Sequence, residues 1–75
     1  MPKVAEFAGI VISIYAADHN PPHVHVYYAD DAALVAIRTG EVIEGFVPGK
    51  QLRRAATWIE EHRDELLVRW ATLNP

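Results

Sequence analysis

The hydrophobic pattern of this chain changes period once, at Pro48-Gly49. Upstream of it, apolar residues recur at every second position, the repeat of a half-buried strand. Downstream, Leu52, Ala55, Ala56, Ile59, Leu66, Trp70 and Leu73 fall on one stripe at helical spacing. Strands first, joined by short turns, and a helix last leave few folds open. The pattern predicts an α+β domain: a small antiparallel meander of four to five strands, one face packed against one long C-terminal amphipathic helix. The sheet is expected over about residues 3–47 and the helix over about 50–73, with residues 1–75 forming a single domain. The stripe keeps its phase across the charged stretch Glu60 to Glu65, so one helix about 36 Å long fits it. A break near His62, with Asp64 capping a second helix, is the alternative.

Five strand-like runs precede that change of period. Lys3 to Phe7 alternates, and Ala8-Gly9 then reads as a hairpin turn into Ile10 to Tyr15. Ile10, Ile12 and Ile14 share the likelier core face of the second run. His23 to Tyr28 is rich in β-branched and aromatic residues, with Val24, Val26 and Tyr28 on one side and His23, His25 and Tyr27 on the other. Asp30-Asp31 and Thr39-Gly40 are turn candidates, which bound a fourth run from Ala32 to Arg38 and a weaker fifth from Glu41 to Phe46.

Size limits what such a domain can do alone. At 75 residues, a chain buries only roughly 60% of its unfolded surface, so a small partner protein or self-association is expected to add stability. The net charge of -3 supplies no general field for nucleic acid, and any such contact would need a local patch. The absence of cysteine excludes thiolate metal sites and suits a cytoplasmic protein. No apolar run approaches the ~20 residues of a membrane span, and the N-terminus lacks the pattern of a secretory signal.

Chemistry concentrates in one place. Three of the four histidines, His19, His23 and His25, lie within seven residues around Pro21-Pro22. The two prolines fix φ and remove two amide donors, which makes a stiff connection. On a strand, residues two apart project to the same side about 6.5–7 Å apart, so His23 and His25 point together. His19 can fold back toward them. One reading is a divalent transition metal such as zinc, held by His19, His23 and His25, with Asp18 or Glu44 as other third ligands. A second is metal-independent acid/base chemistry by His23 and His25, with Tyr27, Tyr15 and Arg38 as helpers, RNA cleavage being a reaction this set could run. A third is that the imidazoles are solvated or structural, since His-x-His alone is a weak motif.

The helix contributes Lys50, Arg53 and Arg54 in its first turns, a candidate anion patch or a solvated basic face. Glu60, Glu61, Asp64 and Glu65 make an acidic patch further along. Trp70 is expected in the core, Trp58 against the sheet rim, and His62 in a structural role.

The run Asp18-His19-Asn20-Pro21-Pro22-His23-Val24-His25-Val26 resembles the hallmark of small bacterial proteins grouped as domain of unknown function 4160. So do Thr39-Gly40-Glu41, Gly45, Pro48, Gln51-Leu52, Trp58-Ile59 and His62-Arg63-Asp64-Glu65-Leu66-Leu67. The resemblance implies a prokaryotic, cytoplasmic protein and a shared role for His19, His23 and His25. It also implies a connection to toxin–antitoxin-like modules, but brings no established catalytic residues. Gly49 stands where similar proteins often carry a basic residue, which thins the basic patch. Two functions of different class follow: a histidine-based metal or acid/base site, toxin-like in its RNA-cleaving form, and a non-enzymatic protein-interaction module of a toxin–antitoxin-like pair.

Overall fold

The computed structural model describes residues 3–75. Five antiparallel strands run in chain order across one sheet: β1 (Lys3–Phe7), β2 (Ile10–Ser13), β3 (His23–Tyr28), β4 (Asp31–Ala36) and β5 (Val42–Phe46). The α+β class and the meander expected from the sequence are both present. β1 and β3 match the expected runs, and β2, β4 and β5 are shorter than the sequence suggests. β2 stops at Ser13 because the chain leaves the sheet toward the double-proline segment, and β4 stops at Ala36, whose N–H and C=O pair with Glu41 and Gly40 in the turn. Asp31 pairs with Tyr28 inside the ladder, so the β3–β4 turn sits at Ala29-Asp30, one residue early.

Register explains the core. Ile12 pairs with Val26, and Val26 with Ala33; Val24 pairs with Val35. These residues share the covered face and are buried together with Ile10, Ile14 and Ile37. The Ala8-Gly9 turn has φ of 51° and 76°, positive at both central residues as a tight two-residue hairpin demands. Gly45 also has positive φ, 87°, and a Cβ there would run into the Ala32 carbonyl oxygen. It therefore lets β5 lie close against β4.

The expected single long helix is two: α1 (Gly49–Glu61) and α2 (Arg63–Leu73). The residue between them, His62, has left helical geometry at φ -119°, ψ 18°. Its ring explains the break. Nδ1 donates to the Trp58 carbonyl at 2.8 Å, and the imidazole stacks on the Trp58 indole with centroids 4.0 Å apart. The His62 amide meanwhile splits between the Trp58 and Ile59 carbonyls, both at 3.1 Å. A local side-chain bond thus shares the Trp58 carbonyl with the backbone ladder at the break, while the apolar stripe on either side kept its phase. Asp64 lies within the first turn of α2, and no side chain caps that helix. Arg63 then ties the junction to the sheet by donating from Nε to the Ile37 carbonyl at 2.8 Å. Ala55, Ile59, Leu66 and Trp70 are the buried members of the expected stripe. Among the described residues no helix is long and apolar enough to cross a membrane.

Candidate metal centre

The β2–β3 connection builds the site. Ala17, at φ 57°, turns the chain back after Tyr15 and brings Asp18 over the start of β3. The Asn20-Pro21 peptide bond is cis. Both proline carbonyls have partners: Pro22 O accepts from the Ile37 amide at 3.0 Å, and Pro21 O lies 2.8 Å from Nδ1 of His23. Since a carbonyl only accepts, His23 must carry its proton on Nδ1. The ring itself is buried, 1% exposed, with the Trp70 indole 5.0 Å from it between centroids.

That assignment fixes what the other ring nitrogen offers. Nε2 of a neutral His23 is a lone pair, yet it sits 3.0 Å from Oδ2 of Asp18. Two lone pairs do not attract each other. A shared proton or a metal ion must join them. His25 Nε2 approaches the same oxygen at 3.2 Å. The ligand atoms of Asp18, His23 and His25 all lie within 4.8 Å of one another. For zinc bonded at ~2.0–2.1 Å, the edge of a tetrahedron is about 3.3–3.4 Å, close to the 3.0 and 3.2 Å that separate Asp18 Oδ2 from the two imidazole nitrogens. The bond from His23 Nδ1 to a backbone carbonyl is the outer contact that commonly orients a metal-binding imidazole.

Of the residues singled out in the sequence, His23 and His25 converge as expected. Asp18, the acidic residue beside them, is the group on which they converge. His19 is drawn to the other side of that carboxylate: its Nδ1 is 3.1 Å from Oδ1, its amide donates to Oδ1 at 2.9 Å, and its side chain is 79% exposed. Its ring remains 5.5 Å from that of His23 between centroids. Tyr15 and Tyr27 join hydroxyl to hydroxyl at 2.8 Å, and the Tyr15 ring meets His25 edge-on at 4.5 Å. The hydrogen bond with Tyr15, and then burial, push the Tyr27 hydroxyl up to about 12. It is therefore a proton donor and not a base near neutral pH. Glu44 shares with His25, Tyr27 and Leu34 a depression of about 330 Å³ on the sheet face away from the helices. Arg38 lines a different depression, bounded by Pro21, Pro22, Val42 and Ile43. Lys50, Arg53 and Arg54 are exposed at the start of α1.

Partial burial pushes the Asp18 carboxyl up. The hydrogen bonds from His25 and the His19 amide, with the charge and hydrogen bond of His23, outweigh it, and the group lies below the ordinary carboxylate value of 3.8. A depressed carboxylate stabilises the fold fully above the unfolded-state value and loses that contribution as pH falls through the folded-state value. Thermal melts of metal-free protein between about pH 5 and 2 are therefore expected to show a loss of stability toward acid. Asp18→Asn should flatten it; an unchanged acid limb would show that Asp18 is not held by these partners.

One sequence feature was not recognised as functional: Asn74. Its side chain reaches the site from the end of α2, bonding the Asp18 amide and the Tyr15 carbonyl. A polar residue after a helix ordinarily signals only a helix stop, so no sequence signal marks this role.

The family model described as Domain of unknown function (DUF4160) matches residues 9–71, and the chain belongs to that family. No curated protein and no solved structure matches the chain.

Proposed function

We propose that this protein binds a divalent transition metal such as zinc through Asp18, His23 and His25. One observation carries the reading: His23 commits Nδ1 as donor to Pro21 and aims its Nε2 lone pair at a carboxylate oxygen. Two imidazoles and one carboxylate form a donor set suited to zinc and its neighbours. His25 and Asp18 keep 24% and 18% of their side chains exposed, whereas His23 is sealed. Solvent access on that side suits three protein ligands with one open position. A metal there would supply a Lewis acid and lower the pKa of a bound water. Within the protein, Pro21 orients His23, the His19 amide holds the far oxygen of Asp18, and the Tyr15–Tyr27 pair offers hydroxyl donors beside His25. His19 is in reach as an outer or exchanging ligand.

The metal-free form of the same reading has Asp18 orienting His23 and His25 for acid/base work, with Tyr27 as donor. RNA as its substrate gains little from the depression beside His25, whose lining includes Glu44 and neither lysine nor arginine. The interaction-module reading rests on β5, an edge strand exposed along its whole length, where Val42, Ile43 and Phe46 are 39%, 45% and 65% accessible. Bare apolar edge strands invite pairing with another chain. In this reading, as in the first, the chain works as a small cytoplasmic prokaryotic protein.

Calorimetric titration with zinc of protein purified without a histidine tag separates the three. Binding at one equivalent, lost in Asp18→Ala and His25→Ala, supports the metal centre. No binding, with an activity that needs His25, transfers the site to acid/base chemistry. No binding and no histidine-dependent activity leaves the interaction module.

A further inference from the structure

The site has a second support from the far end of the chain. Asn74, which ends α2, uses both atoms of its side-chain amide on the segment that carries Asp18. Oδ1 accepts from the Asp18 backbone N–H at 2.6 Å, and Nδ2 donates to the Tyr15 carbonyl at 3.1 Å and to the Trp70 carbonyl at 3.2 Å. Its backbone N–H also donates to Trp70 O, at 2.8 Å. One planar amide thus spans the Ala16-Ala17 turn from both sides and locks it to the last turn of the helix. The same turn holds Trp70 against the His23 ring. Two of the three converging groups, Asp18 and His23, are therefore set by residues of α2. The family match ends at residue 71, so Asn74 lies beyond it.

We infer that Asn74 is a positioning residue that holds Asp18 on the two imidazoles. This rests on the reading of Asp18, His23 and His25 as the working site, and it adds a linkage: whatever cation joins those groups also favours docking of the α2 end, and undocking of that end weakens the cation's hold. Side-chain rotation of Asp18 alone cannot keep Oδ2 at both Nε2 atoms if its backbone moves. Backbone placement is what Asn74 fixes.

The test compares wild type with Asn74→Ala and Asn74→Leu, the latter keeping the bulk but neither hydrogen-bonding atom. The ¹⁵N chemical shifts of the His23 and His25 ring nitrogens, in metal-free protein at one fixed pH, report whether Asp18 still sits at them. Both variants should shift these resonances while the amide spectrum of the sheet stays folded. Zinc affinity should fall about 10–100-fold in both, as for loss of an outer support of a metal ligand. Unchanged imidazole shifts in Asn74→Ala would overturn the inference. So would wild-type behaviour in Asn74→Leu, which would reduce the role to packing, or equal zinc affinity in a wild type that binds. Should wild type bind no zinc, the metal reading fails, and the metal-free imidazole shifts still decide the role of Asn74.

Discussion

His23→Ala is expected to abolish zinc binding and to cost about 2–4 kcal/mol of folding stability. Two effects combine. The ring is among the largest fully buried side chains, so removing it leaves a cavity against Trp70. It also strips the Pro21 carbonyl of its donor and removes one of the two imidazoles on Asp18. Affinity should drop by more than about 100-fold, beyond what loss of an outer contact gives. His25→Ala provides the contrast. It removes the other imidazole but empties a partly open position, so affinity should fall as far while stability falls less. Urea unfolding in EDTA and zinc titration on the same samples check both halves. If His23→Ala kept wild-type zinc affinity, the ligand assignment would be wrong. If it melted no earlier than His25→Ala, the buried bond to Pro21 would contribute nothing measurable.

Gly45→Ala is expected to destabilise the domain by about 3 kcal/mol or more. An L-residue at φ 87° is strained before any contact is considered. The added methyl would also overlap the Ala32 carbonyl oxygen and crowd the Ala33 Cα, both of them backbone atoms of β4 that cannot swing aside. A domain of this size has roughly 4–11 kcal/mol in total, so the melting temperature should fall by ~15 °C. Asp18, His23 and His25 all belong to the β2–β3 connection and β3, and Gly45 meets the site only as a far wall of the depression that His25 also lines. Zinc affinity of the folded fraction should therefore match wild type. A melting temperature within a few degrees of wild type would show that β5 lifts off β4 at little cost.

Most of the architecture was legible because it follows from periodicity. Ile10, Ile12 and Ile14 announce a covered face, and Pro48-Gly49 marks where the helix begins. The histidine cluster was legible because a strand sets His23 and His25 on one side. The rest required information that periodicity does not hold. The sequence offers a break near His62 only as an alternative, with Asp64 as a cap; the break instead goes with a ring that bonds its own chain four residues back, of which a stripe in phase across the junction gives no hint. Asp18 was visible only as one of several third ligands. The turn at Ala17, with positive φ at a residue other than glycine, is what swings it over the imidazoles. Asn74 contacts a segment 56 residues earlier, and no local pattern encodes that distance.

The neighbour-to-neighbour ordering of the strands has a consequence in time. Contacts between strands adjacent in the chain are local, and folds built from them assemble quickly. The three converging groups all lie between Asp18 and His25, on one such connection, so a rudimentary version of their pocket can arise as soon as β2 meets β3. Its C-terminal brace joins groups 56 residues apart, so it can form only once α2 has met the sheet.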